Sequence, residues 1–193
     1  MPGRGSAVPR TVEKVETARE TALPLRRLVV LRHAKSAWPE GLPDHDRPLG
    51  PRGLRDAPAA GRWLRDADCL PELVLCSTAR RARSTWELAA AEMPGTPPAR
   101  HDRRVYAADS QSLLDLVREV PDDVGTLLLI GHNPGLQELV LLLVGETLDD
   151  TLQRVEAKFP TSAIAVLTRR GAWADFAPGT ALLTDLAVPR GKR

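Results

Sequence analysis

Residues 28–36 read Leu-Val-Val-Leu-Arg-His-Ala-Lys-Ser. Four consecutive apolar residues give way at once to an arginine and a histidine. So short an unbroken apolar run, half of it β-branched, reads as a strand covered on both faces. The change of character at Arg32 says that the chain leaves the core there. The pattern recurs twice. Leu73-Val74-Leu75-Cys76 runs into Ser77 and a cluster of arginines, and Thr126–Ile130 (TLLLI) runs into Gly131-His132-Asn133.

Helical spacing fills the gaps between these runs. Residues 51–67 carry Leu54, Ala57, Ala60, Trp63 and Leu64 close to a 3.6-residue period. Further helices are expected over residues 79–93, over 110–120 with Asp109 as the cap, and over 134–144. Weaker strand signals lie at Arg104–Tyr106, Ala163–Leu167 and Ala172–Phe176. Strands separated by helices of this length imply βαβ units. The expected fold is therefore α/β, a three-layer sandwich with a mostly parallel central sheet flanked by helices.

The chain has 193 residues, enough for one domain, and its 42% apolar and 27% charged content is that of an ordinary globular protein. Residues 1–25 are rich in Pro, Gly and charge and read as a flexible arm, with a helical stretch around Val12–Ala22. The domain is expected over 26–187 and a basic tail over 188–193. A net charge of +2 argues against a nucleic-acid partner. The absence of an 18-residue apolar stretch argues against a membrane, and no signal-peptide h-region stands at the N-terminus. Cys69 and Cys76 form no C-x-x-C pair and read as buried free thiols in a reducing compartment, so the expected location is the cytoplasm. No metal site and no cofactor are expected from this inventory.

Open α/β sheets bind ligands beyond the carboxyl ends of their strands. The residues just after the three strong strands are Arg32 and His33, then Ser77 with Arg81, then His132 and Asn133. Each alone has an ordinary reading: a lone histidine is usually a satisfied structural residue, and Arg80 and Arg83 suit a solvated helix face. Together they suit phosphate. Arg81 projects from the first turn of a helix. Asn133 as cap and Pro134 as first helical residue place His132 at the positive end of another, beside free backbone N–H groups. Arg32, Arg81 and His132 can offset phosphate charge, and a neutral His33 can attack phosphorus.

The strand followed by Arg32-His33-Ala34-Lys35-Ser36, the stretch Ser77-x-x-x-Arg81-Ala82-Arg83-x-Thr85 and Gly131-His132-Asn133-Pro134 together resemble the histidine phosphatase superfamily, the phosphoglycerate mutase-like fold. More narrowly they resemble its SixA-type phosphohistidine phosphatases. Asp44-His45-Asp46-Arg47-Pro48-Leu49 and Lys158-Phe159-Pro160-Thr161-Ser162 add to the likeness, which runs from about Arg27 to Leu186. It implies a metal-independent phosphatase with His33 as nucleophile and Arg32, Arg81 and His132 as phosphate ligands. Ser36, Asn133 and Asp44 are candidates for contacting substrate.

Many relatives carry a glutamate after the third strand that protonates the leaving oxygen, and another branch has Asp after the second histidine. Here those places read Arg104–Asp109, without glutamate, and Asn133. A proton donor is worth typically 10²–10⁴-fold in such reactions. A site without one favours phosphoramidates, such as the labile P–N bond of phosphohistidine, or esters with good leaving groups, so a phosphorylated protein is the expected substrate. A small phosphomonoester is the alternative, and a phosphate-binding adaptor without turnover is the non-enzymatic one. Asp44 is the candidate substitute acid, against the reading that it holds its loop by pairing with Arg47, Arg52 or Arg55. His45 reads as a solvated loop position.

Overall fold

A computed structural model describes residues 23–192. Seven strands form one sheet: β1 (Leu25–Arg32), β2 (Leu73–Ser77), β3 (Arg100–Asp102), β4 (Thr126–Gly131), β5 (Val144–Thr147), β6 (Ile164–Arg170) and β7 (Ala181–Ala187), in the order β3-β2-β4-β1-β6-β7-β5. β6 runs antiparallel to β1 and β7, and the remaining pairs are parallel. Five helices cover it: α1 (Pro51–Asp66), α2 (Arg80–Ala90), α3 (Ser110–Arg118), α4 (Gly135–Leu143) and α5 (Thr151–Ala157).

The continuous apolar runs are what a two-faced sheet requires, because alternate residues of one strand enter different cores. Val29 and Leu31 of β1 pack with Leu128 and Ile130 of β4 against α1 and α2, through Ala60, Leu64, Ala82 and Trp86. Leu28 and Val30 pack with Leu127 and Leu129 against α3, α4 and α5, through Leu114, Leu139 and Val155. The three-layer α/β sandwich follows. Cys69 and Cys76 are both buried and free, and burial pushes the Cys76 thiol up to about 12. Among the described residues no helix is long and apolar enough to cross a membrane.

Several elements differ from expectation. The third strand is Arg100–Asp102, three residues of which align with Leu75–Ser77, while residues 103–105 form a 3-10 turn. The Asp102 side chain accepts from Arg104 N at 2.9 Å and so ends the strand before Arg104–Tyr106 can extend it. Residues 173–175 are also a 3-10 turn, with the Asp175 carboxylate on Ala172 N at 3.0 Å. The strand expected at Ala172–Phe176 is instead Ala181–Ala187. The helix after β4 ends at Leu143, and Val144 opens the edge strand β5.

The arm read over residues 1–25 lies outside the described residues as far as residue 22, and Leu25 already belongs to β1. At the other end, Arg190 reaches Asp56 of α1 at 2.7 Å, and Gly191 N donates to the same carboxylate at 3.1 Å.

Candidate active site

Parallel strands β1, β2 and β4 lie side by side, so their carboxyl ends share one edge of the sheet. His33 N donates to Gly131 O at 3.1 Å, which ties the turn after β1 to the end of β4. Ser162, at positive φ, donates its N–H to the carbonyls of Arg32 and His33 and holds the turn from the β6 side. Ala34 N donates to Thr85 Oγ1 at 3.0 Å, which anchors it to α2. His33 is 7% exposed.

His33 Nδ1 lies 2.7 Å from Ala34 O, so that nitrogen carries the proton and Nε2 keeps the lone pair. Nε2 points to Arg81 Nε at 3.3 Å. Burial pushes the His33 pKa down; the bond to Ala34 O opposes this, and the charges of His132, Arg81 and Arg32 lower it further, to about 3. The imidazole is neutral at ordinary pH, with its lone pair on Nε2. His132 stands beside it with ring centroids 5.0 Å apart. Its Nε2 donates to Ser77 Oγ at 2.8 Å and its Nδ1 accepts from Arg81 Nη2 at 3.3 Å. Burial, then Arg81, lowers its pKa to about 4.

Arg81 is 6% exposed and links the site together. Its Nε serves His33, while Nη2 serves both His132 and Asp44 Oδ2, the latter at 2.9 Å, and Nη1 serves the Asp44 carbonyl. Arg32 donates from Nη1 to Phe159 O at 2.8 Å, and its buried Nε has no protein partner. Arg81, His132 and Arg32 thus lie around the His33 ring, an arrangement that can offset the charge of a phosphoryl group.

The other candidates divide. Ser36 Oγ is buried and accepts from Arg47 Nη2 at 2.5 Å, on the loop side of the site. Asn133 does not cap the helix: α4 begins at Gly135, with Pro134 at the capping position, because the Asn133 amide is turned to Phe159 O (2.9 Å) and Gln137 Oε1 (3.1 Å). Its buried Oδ1 has no protein partner. Asp44 accepts from Arg47 at 2.7 Å and from Arg81, so it pairs with Arg47 but with neither Arg52 nor Arg55. Arg52 instead meets Asp56 and Thr161.

Two side chains join the site that sequence reasoning did not assign to it. Tyr106 donates its hydroxyl to Asp44 Oδ2 at 2.9 Å and lies edge-on to His132 at 5.6 Å. His45 is half-buried rather than solvated, because its Nε2 meets Thr78 Oγ1 at 2.9 Å and its ring packs edge-on against Tyr106 at 4.9 Å. The tyrosine lies in the stretch 104–109, where the family's glutamate is lacking and the phenol is the polar group that reaches the site. Among the described residues no three His, Cys, Asp or Glu side chains group as a metal site.

The sequence model of the histidine phosphatase superfamily (branch 1) matches residues 28–160. The chain belongs to this superfamily. An uncharacterised Mycobacterium tuberculosis protein is 46% identical over 162 residues, covering 83% of this chain and 100% of that protein. Among solved structures, a protein of Nakamurella multipartitia, provisionally assigned as the phosphohistidine phosphatase SixA, superposes with a TM-score of 0.74 at 34% identity, over 86% of this chain and 96% of its own. An Agrobacterium tumefaciens protein with the same provisional assignment gives 0.73 at 30% identity, over 87% and 100%. This membership makes the chain a phosphatase with a phosphoglycerate mutase-like fold.

Proposed function

We propose that this histidine phosphatase removes phosphate from protein phosphohistidine through a covalent intermediate on His33, with no metal taking part. The observation that carries the reading is the neutral Nε2 of His33, held 3.3 Å from Arg81 and backed by a proton on Nδ1. Its lone pair attacks phosphorus. Arg81 and Arg32 hold the phosphoryl oxygens with the neutral His132 beside them, and water then hydrolyses the phosphohistidine.

The substrate class follows from the proton donors near the pocket. Desolvation pushes the Asp44 carboxyl up, but hydrogen bonds from Arg47, Tyr106 and Arg81 outweigh it and hold the group well below the usual carboxylate range. It is ionised at neutral pH and has no proton to give. Burial and the adjacent carboxylate raise the pKa of the Tyr106 phenol, which makes it a weak acid. An alkoxide leaving group would depart poorly here, whereas an imidazole would not need the donor. The SixA assignments of the two solved relatives favour the same substrate.

The test is phosphate release from a phosphohistidine-bearing protein, set against a panel of phosphomonoesters, with His33→Ala as control. Release from phosphohistidine that the variant abolishes is expected. Faster turnover of a small ester by the same His33-dependent route would assign the protein to metabolite hydrolysis. Phosphate binding without release by the wild type would make it an adaptor.

A further inference from the structure

Asp44 is the only carboxylate hydrogen-bonded to Arg81, Arg47 or Tyr106 among the described residues. It sits at the far end of Arg81 from the nucleophile. The guanidinium offers Nε to His33 at 3.3 Å and Nη2 to Asp44 at 2.9 Å. A phosphoryl group seated along that donor edge has His33 at one end and Asp44 at the other. In-line displacement expels the leaving group away from the nucleophile, which is towards Asp44.

The carboxylate has room for one more donor. Two oxygens offer about four lone-pair sites. Arg47 uses one on Oδ1, while Arg81 and Tyr106 share Oδ2. The side chain is 49% exposed, so the remaining acceptor on Oδ1 is open to an incoming group. Beside it the Tyr106 ring is flanked by those of His45 and His132.

Resting on the phosphohistidine reading, we propose that Asp44 is the specificity-determining residue for the leaving group, accepting a hydrogen bond from the protonated ring nitrogen of the substrate imidazole. The His33 Nε2 lone pair forms the new P–N bond. The bond from phosphorus to the substrate ring breaks, and its electron pair stays on that ring. Because the other ring nitrogen already carries a proton, the imidazolium leaves as neutral imidazole and no proton moves in the step. The same carboxylate repels the oxyanion that an ester would expel, so it acts against phosphomonoesters. The groups facing it are Arg47 from its own loop, Arg81 from α2, Tyr106 from the turn after β3 and His132 from the turn after β4, with His45 beside Tyr106.

The experiment compares kcat/KM for a phosphohistidine peptide and for p-nitrophenyl phosphate in the wild type, Asp44→Asn and Asp44→Glu, with thermal unfolding to verify folding. In Asp44→Asn the ratio of the two is expected to fall at least tenfold, with the peptide rate dropping and the ester rate rising. Asp44→Glu, which keeps the charge, regains part of the ratio. An adjacent anion raises the pKa of the bound imidazolium above its ordinary 6.5 or so, so the alkaline limb of kcat on the peptide should move down by about one pH unit in Asp44→Asn. Rates on both substrates moving together, with the limb unmoved, would overturn the inference and reduce Asp44 to a holder of Arg81. A wild type inactive on the peptide would overturn the phosphohistidine reading itself.

Discussion

Arg81 makes four protein contacts through three nitrogens, to His33, His132, and the carboxylate and carbonyl of Asp44. A lysine offers a single point charge and could not hold these directions at once, so the planar fork does geometric as well as electrostatic work. Beside it the two histidines are kept uncharged, and this has a cost in acid. In the unfolded chain both bind protons near pH 6.5. In the native state they do so at about 3 and about 4. Between these values the unfolded chain binds more protons than the folded one. The contribution of the two rings to stability is therefore complete above about pH 6.5 and is lost progressively as the pH falls towards 3. Thermal midpoints measured across that window should decline in the wild type, and His33→Gln should show a shallower slope.

At the scale of elements, the placement of Arg81 depends on how α2 lies against α1. Gly61 is buried at their contact, and a Cβ there would overlap the Ala89 carbonyl of α2. Gly61→Ala must push the helices apart and is expected to destabilise the fold by about 1–3 kcal/mol, read from the denaturant midpoint at constant m-value. The loop between β1 and α1 depends on a different packing. Arg47 lies over the Trp38 ring at 3.1 Å, bonds Ser36 and Asp44, and donates to Ala37 O at 3.1 Å. One side chain thus sets the path of the segment that delivers Asp44 to the site. Trp38 itself is 73% exposed on the outer side of this loop.

Across the whole molecule, the C-terminal residues return to the first helix. Asp56 is 1% exposed and accepts from Arg190 and from Gly191 N, with Arg52 Nε more distant at 3.6 Å. Arg190 also donates to Thr161 O at 3.1 Å, so the tail links α1 to the segment before β6. Removing residues 189–193 would leave a buried carboxylate with one remote cation. The expected loss is about 2–4 kcal/mol by chemical denaturation, somewhat less than breaking a fully buried pair because Arg190 is partly solvated. Unchanged stability would mean that Arg52 or water replaces the tail without penalty.

Some of this was written in the amino-acid order alone. A strand buried on both faces must be apolar throughout, so Leu28–Leu31, Leu73–Cys76 and Thr126–Ile130 were legible, and with them the positions of Arg32, His33, Arg81 and His132 at strand ends or just beyond. The edge strand β5 was not, because a half-exposed strand need not be apolar and takes its identity from pairing with β7. Nor were β3 and the turn after it, where a local Asp102 contact decides against extension. Asp44, His45 and Tyr106 come from irregular segments that carry no period, and their meeting depends on contacts across more than thirty residues of chain. Periodic burial is a local property that sequence records. The convergence of loop side chains on one guanidinium is a long-range property, decided only when the sheet brings its strand ends together.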